Sequence, residues 1–207
     1  MRNPNAFKRN VLVLLAVCLM QTPLAHSALI GIQPGTTSAN TGDLISLDLV
    51  ISDLGNFAPD SLGAFDISIG FDAAALSFAG YSLGGFLGNV GLSEAIDTSA
   101  GDMGGALNIA EVSLLSAIGL DTLQPGAFTL ATLNFTVINL AGGASTLLSV
   151  LPGAVLADAS GFALSAIASG PARIQSVPVP GTLLLLITSL FGWITLKRRH
   201  ASLHQVK

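Results

Sequence analysis

The sequence predicts an all-β protein, a β-sandwich of about nine strands. Three segments alternate apolar and polar residues with a period of two, the pattern of a strand with one buried face. Turn sequences such as Gly84-Gly85 and Leu151-Pro152-Gly153 interrupt the chain at short intervals. No convincing amphipathic helical pattern lies between these turns. Short strands with dense turns and no long helix favour a sandwich.

The three clearest strands lie within residues 43–53, 65–71 and 131–137. In the first, the apolar residues share one parity: Ile45, Leu47, Leu49 and Ile51. Six shorter segments complete the prediction: Leu29 to Gln33, Ala75 to Tyr81, Ala106 to Val112, Ser145 to Leu151, Ala154 to Asp158 and Ala172 to Val177. With the turns between them, these strands span residues 28–176, a length typical of one domain.

Residues 1–27 predict a secretory signal peptide. Basic residues precede an uninterrupted apolar stretch from Val11 to Met20, and small residues around Ala28 offer a cleavage site. Cys18 leaves a lipoprotein signal open as an alternative, although Val17 is bulky for the position before a modified cysteine. Removal of residues 1–27 leaves a domain without cysteine, and therefore without disulfide or thiol chemistry.

The C-terminal segment predicts a membrane anchor. Residues 181–196 carry no charge, and Trp193 lies near one end of this stretch as an interface anchor. The membrane stop is basic: Lys197, Arg198 and Arg199. A buried core helix is the alternative, disfavoured because three successive cations are poor core neighbours. We therefore expect a transmembrane helix at 181–196 in the inner membrane, a cytoplasmic tail at 202–207, and the preceding domain in the periplasm.

A short motif precedes this helix: Val177, Pro178, Val179, Pro180, Gly181 and Thr182. With the hydrophobic stretch and the basic end, it resembles the PEP-CTERM sorting signal of Gram-negative bacteria that make exopolysaccharide, over residues 177–201. Val179 stands where that family usually has Glu. The resemblance implies that an exosortase-type membrane protease processes the tail, which would place the domain at the cell surface or in the extracellular matrix.

The charge of residues 28–176 is one-sided. All 12 acidic residues lie between Asp43 and Asp158, and Arg173 is the only basic residue between Ser27 and Lys197. Such a surface repels nucleic acid and anionic lipid headgroups, so we expect no nucleic-acid partner. It tolerates divalent cations or a basic protein.

Several motifs of the domain follow one another in a recognisable order. Gly42-Asp43 opens a strand, the run from Gly63 to Phe78 follows, and Pro125-Gly126 precedes the strand of residues 130–137. This arrangement resembles the cohesin domain over about residues 29–175. The resemblance implies a nine-stranded jelly-roll sandwich related to bacterial carbohydrate-binding modules. It also implies adhesion or scaffolding through a protein ligand on one sheet face, with polysaccharide binding or catabolism as the alternative.

The residues that most catalytic sites need are missing from the domain. No His, Cys or Lys lies between Ser27 and Lys197, which excludes Ser-His-Asp and Cys-His nucleophiles, lysine Schiff bases and His-ligated zinc. A glycosidase built on Asp66 and Asp72 is the remaining catalytic alternative. Because Asp residues here cluster at expected turns, where they bond the backbone, we predict a protein that is not an enzyme.

Cofactor and ligand residues are few. We expect no cofactor; an irregular calcium site among residues 97–102 is the weaker alternative, and no EF-hand pattern occurs. Four phenylalanines on apolar strand faces are predicted to be core: Phe65, Phe71, Phe78 and Phe135. The aromatic residues near loops form the candidate ligand patch: Phe57, Tyr81, Phe86 and Phe162.

Overall fold

The computed structural model describes residues 27–177 together with Ser189. The predicted signal peptide lies almost wholly outside the described residues, as do the motif beyond Val177, the basic stop and, apart from Ser189, the helix at 181–196. In the part of the chain that is described, no helix is both long enough and apolar enough to cross a bilayer.

Two sheets stacked face to face form the domain. The strands of the first, sheet A, are β1 (Ala28–Gln33), β3 (Leu44–Ser52), β5 (Leu76–Leu83), β9 (Phe128–Val137) and β13 (Ala166–Ala168). Their order is β13-β1-β3-β9-β5. Neighbours are antiparallel, except that β13 runs parallel to β1. The strand β5 therefore forms one edge of sheet A.

Sheet B has nine strands within the described residues. They are β2 (Thr36–Ser38), β4 (Leu62–Phe71), β6 (Ala95–Asp97), β7 (Gly101–Asp102), β8 (Ala106–Ser113), β10 (Ser145–Val150), β11 (Val155–Asp158), β12 (Ala163–Leu164) and β14 (Ala172–Gln175). Its centre is β4, which pairs with β8 along one side and with β10 and β11 along the other. The short strands β6 and β7 pair with β8 at one edge.

The core lies between the sheets and follows the predicted alternation. Inward-facing residues of β3, β4 and β9 are buried, and Phe135 is fully enclosed. Its ring meets Phe71 edge to face, with centroids 5.1 Å apart, and Phe78 at 5.6 Å. Phe65, Phe71 and Phe135 are core residues as predicted, and the partly buried Phe78 packs against them.

All nine predicted strands are present, but the count of about nine is too low. Five further strands of two to three residues occur in the described domain: β2, β6, β7, β12 and β13. A segment this short cannot display a period of two, so the sequence does not reveal it.

The α-helix α1 (Ala117–Leu123) was also not expected, nor was the 3-10 turn at Val90–Leu92. Ser116 caps α1 by accepting a hydrogen bond from the Gly119 amide, and Leu120 is its one buried residue. Seven residues with a single buried side chain give no helical periodicity.

Candidate functional site

The four aromatic residues of the candidate ligand patch differ in exposure. Phe57 and Phe162 are 59% and 72% exposed. Tyr81 and Phe86 are partly buried, and the Phe86 ring lies 4.9 Å from that of Phe128. Only two of the four therefore offer most of an aromatic face to a ligand.

These residues do not form one patch. The loops that carry Phe57 and Phe86 meet at Gln124, whose backbone carbonyl accepts from the Phe57 amide and whose side chain donates to the Phe86 carbonyl. Tyr81 lies on β5 beside β6, whereas Phe162 follows β11 at the far side of sheet B. At about 4.8 Å per strand, the intervening strands separate Tyr81 and Phe162 by roughly 15 to 20 Å. Ligand contact at any of the four stays a prediction.

Tyr81 forms a hydrogen bond between the sheets. Its hydroxyl donates to Asp97 Oδ2 over 2.6 Å, while Asp97 Oδ1 accepts from the Ser99 amide over 3.0 Å. The bond to Asp97 raises the pKa of Tyr81 above its ordinary value. Partial burial acts to raise the pKa of Asp97, but the hydrogen bonds from Tyr81 and Ser99 outweigh it and lower that pKa. Asp97 is thus held as a carboxylate.

A cleft of about 510 Å³ opens beside this bond. Tyr81, Asn89 and Asp97 supply its polar groups, and Leu83 and Val90 its apolar ones. Glycines form much of the remaining wall. At Gly84 a side chain is excluded, because a Cβ atom would collide with the Thr129 carbonyl oxygen. The cleft could admit one or two sugar-sized groups.

The proposed carboxylate pair is wrong. Asp66 lies on the outer face of β4 and accepts a hydrogen bond from Asn108 Nδ2 over 2.6 Å. Asp72 follows the end of β4 and accepts from the Ala74 amide within the next turn. Six residues of extended chain span about 20 Å, whereas glycosidase carboxylates lie about 5 to 9.5 Å apart. The two acids cannot flank one glycosidic bond.

The loop carboxylates suggested for calcium each support their own turn. Asp97 accepts from Ser99, and Asp102 Oδ1 accepts from the Gly104 amide over 2.8 Å. Among the described residues, no group of three or more His, Cys, Asp or Glu side chains is arranged to hold a metal ion. We therefore identify no metal ligand in this part of the chain.

The outer faces of the two sheets differ in chemistry. On sheet A, polar side chains bond one another across strands: Ser46 Oγ donates to Asn134 Oδ1 over 2.7 Å, and Thr132 Oγ1 donates to Asp48 Oδ1 over 2.6 Å. These polar side chains thus bond one another within the sheet.

On sheet B, small and apolar side chains line up across four strands. One row comprises Ile96, Val112, Ala64 and Ala157, and the next comprises Ala110, Asp66 and Val155. Val155 is 61% exposed, and a shallow depression of about 200 Å³ runs between these residues. We call this surface the β4–β8 face.

Solved structures of similar fold are cohesin domains. The sixth cohesin of scaffoldin B from Acetivibrio cellulolyticus, in complex with a Cel5 dockerin mutant, superposes with a TM-score of 0.58 at 16% identity, covering 74% of this chain and 99% of that one. A cohesin from Clostridium acetobutylicum, solved in solution, gives 0.57 at 18% identity, covering 74% and 92%. The domain has a cohesin fold.

A type I cohesin–dockerin complex from Clostridium thermocellum adds a third likeness, with a TM-score of 0.57 at 11% identity over 73% of this chain and 99% of that one. At these identities the likeness establishes the cohesin fold. No protein-family model and no curated protein sequence matches the chain.

Sequence reasoning missed two features of this cohesin fold. The β4–β8 face was not foreseen, because its rows depend on which strands pair. The buried acid Glu111 was not singled out either, although it shares the parity of Leu107 and Ile109 on β8. That parity was the one available signal that its side chain points inward.

Proposed function

We propose that this chain is a non-catalytic, exported binding module whose cohesin-like domain holds a protein ligand on the β4–β8 face. The observation that carries the proposal is the contrast between the two outer sheet faces. Sheet A presents polar side chains bonded to one another, whereas sheet B presents the exposed apolar side chains of Ile96, Val112 and Val155 around Asp66. A contiguous exposed apolar surface is typical of a protein interface.

The shape of the β4–β8 face suits a folded protein more than a small molecule. Its depression is shallow, and the strand positions around it carry short side chains, among them Ala64, Ala110 and Ala157. Short side chains let a helix or sheet approach the backbone closely and lose little rotamer entropy on binding. The similar cohesins whose structures contain dockerins are consistent with this use of the fold.

Charge favours a partner with a basic surface. The domain carries 12 acidic residues against Arg173, and Asp66 lies within the β4–β8 face. Opposite charge on the partner would accelerate association, and salt would slow it.

Two substitutions test the binding surface. The full-length protein is immobilised, and exported proteins of its host are passed over it to capture a ligand. The captured protein is then purified, and the affinity of wild type and of each variant for it is measured. Val155→Arg places a long cation on the face, and we expect it to weaken binding roughly tenfold or more. Ser77→Arg adds the same charge on the outer side of the edge strand β5 of sheet A, where Ser77 is exposed, and is expected to leave the affinity unchanged.

Polysaccharide binding is the second candidate, favoured by the cleft beside Tyr81. If the purified chain binds soluble polysaccharide of its host and Tyr81→Ala abolishes that binding while Val155→Arg does not, the cleft rather than the sheet is the site. Equal affinity of Val155→Arg and Ser77→Arg for the captured protein would also show that the β4–β8 face is not the binding surface.

We further propose that the tail is a PEP-CTERM-like signal processed by an exosortase-type protease, which takes the domain from the periplasmic side of the inner membrane to the surface or matrix. The support is the order of residues 177–201. Intact-mass measurement of the mature protein from hosts with and without exosortase tests it. We expect a C-terminus near Pro180 in the first host and retention of residues 183–207 in the second; a tail kept in both would make it a plain anchor.

A further inference from the structure

Glu111 is the one acidic residue of the described domain that lies in the core. On β8 it follows the inward positions of Leu107 and Ile109, and its side chain is fully buried. Across the strands it pairs with Phe65 of β4 on one side and with Asp97 of β6 on the other. Residues directly opposite in antiparallel strands point to the same side of a sheet, so both neighbours face Glu111.

Within residues 27–177, neither carboxylate oxygen of Glu111 has a hydrogen-bond partner. A buried ionised carboxylate without a partner is strongly disfavoured, whereas its neutral acid is tolerated at a much smaller cost. The neutral form is therefore the one that this position suits.

The groups around Glu111 add no compensating positive charge. From β4 it faces the apolar Phe65, while Asp66 lies on the other side of the sheet. From β6 it faces Asp97, which in turn receives the hydroxyl of Tyr81 on β5. The only basic residue within 27–177 is Arg173 on β14, beyond β4 and β10, where its guanidinium donates to Ser145.

Burial, and next the charge of Asp97, raise the pKa of Glu111 from 4.5 to about 7. The acid thus changes charge near neutrality, within the range that an exported protein meets. The geometry by itself gives the same direction, because both desolvation and a facing carboxylate favour the proton.

The strand opposite Glu111 has few contacts of its own. β6 has three residues and lies at the sheet edge, held to β8 by its ladder and by two flanking backbone bonds, Leu114 N to Glu94 O and Thr98 N to Ala110 O. Like charges directly opposite each other destabilise a strand pair. A change of charge at Glu111 therefore acts on a three-residue edge strand of sheet B and on the Tyr81 bond attached to it.

We propose that Glu111 is a proton switch for the edge strand β6: as a neutral acid it allows β6 to stay paired, and as a carboxylate it repels Asp97 and loosens β6 together with the Tyr81–Asp97 bond. The sign of the pH dependence follows from linkage. Between about pH 4.5 and 7 the unfolded chain has released this proton and the folded domain has kept it, so stability falls as pH rises. Above about 7 both states are ionised and the decline ends.

A direct titration is available because the chain contains only two glutamates, Glu94 and Glu111. Full-length protein labelled with ¹³C at the glutamate side-chain carboxyl gives two signals, and Glu111→Gln assigns them by removing one. We expect the Glu111 signal to titrate near pH 7, and to titrate at lower pH in Asp97→Asn. A Glu111 signal that titrates near 4.5, the ordinary pKa of this group, overturns the proposal. This measurement requires only one variant, Glu111→Gln, for the assignment.

Hydrogen exchange tests the loosening. At each pH, exchange of the β6 amides and of Thr98 and Leu114 is compared in wild type and Glu111→Gln, which cancels the intrinsic pH dependence of exchange. We expect equal protection at pH 5 and roughly tenfold or greater loss in wild type at pH 8.5, while amides in β3 and β9 stay protected. Equal protection at both pH values overturns the switch even if Glu111 titrates near 7.

Stability gives a third measure. The folding equilibrium constant of wild type is expected to fall by roughly 100-fold relative to Glu111→Gln between pH 4.5 and 7.5. Parallel pH profiles for the two proteins would contradict the proposal. If Glu111→Gln folds poorly, Asp97→Asn is compared with wild type instead. We then expect the loss of stability of Asp97→Asn to occur at lower pH than that of wild type.

Discussion

Tyr81 donates its hydroxyl proton to Asp97 over 2.6 Å, and this bond joins the edge strand of sheet A to the edge strand of sheet B. It links the two sheets along one side of the sandwich. The Tyr81 ring also stacks on Phe78, with centroids 6.3 Å apart, so the edge is anchored to the core. The same bond forms a wall of the cleft and adjoins the buried Glu111.

The titration of Tyr81 reports on this bond. Because Tyr81 is the only tyrosine, the tyrosinate absorbance of the folded protein belongs to it alone. The hydrogen bond to Asp97 raises its pKa. Because ionised Glu111 would loosen this bond at high pH, the titration is done in Glu111→Gln, where we expect a midpoint above 10, and one closer to 10 when Asp97→Asn is added. Because the folded pKa exceeds the unfolded one, stability is lost as pH rises between the two values. A midpoint at or below 10 in Glu111→Gln would contradict the bond.

Gln124 supports the start of β4 through its side chain. It is buried, its Oε1 accepts from the Leu62 amide, and its Nε2 donates to the carbonyls of Leu62 and Phe86. Gln124→Ala leaves these buried backbone groups unpaired, so we expect a loss of about 2 to 5 kcal/mol in the free energy of unfolding. Urea denaturation measures it. Gln175→Ala, at an exposed site on β14, is the control and should change stability by less than about 0.5 kcal/mol.

The contrast between Gln124 and the long strands shows what the sequence could predict. The alternation in β3, β4 and β9 is local, so each strand and its buried side were visible from neighbouring residues alone. The role of Gln124 was not visible in the sequence, because its bonds reach Leu62 and Phe86, which are distant along the chain. The partial burial of Phe86 has the same origin, since Phe128 covers it only after β9 is in place.

Gly84 is required by a close approach between chain segments. Its amide donates to the Leu130 carbonyl over 2.7 Å, and a Cβ atom there would collide with the Thr129 carbonyl oxygen. We expect Gly84→Ala to destabilise the domain by about 1 to 3 kcal/mol, because backbone must shift. Gly85→Ala is a matched control: nothing lies within 4 Å of its Cβ position. Equal denaturation midpoints for the two variants would contradict this arrangement of the β5 edge.

The candidate site was harder to predict than the fold. The position of Phe57 and Phe162 near loops indicated that they are exposed, but it could not show that they lie apart from Tyr81. Asp66 and Asp72 were considered together because they are close in sequence, yet an extended strand carries them far apart. The β4–β8 face arises from the register of four strands, and residues such as Ala64 and Ala110 reveal nothing about pairing on their own.

The most direct test of the protein-binding account is to map the ligand on the domain. The captured protein is added to isotope-labelled chain, and amide chemical shifts are followed by NMR. We predict that the perturbed amides cluster on β4, β8 and β11 around Val155, with sheet A unchanged. Perturbations confined to the cleft beside Tyr81, or to the outer face of sheet A, would contradict the assignment of the β4–β8 face as the binding surface.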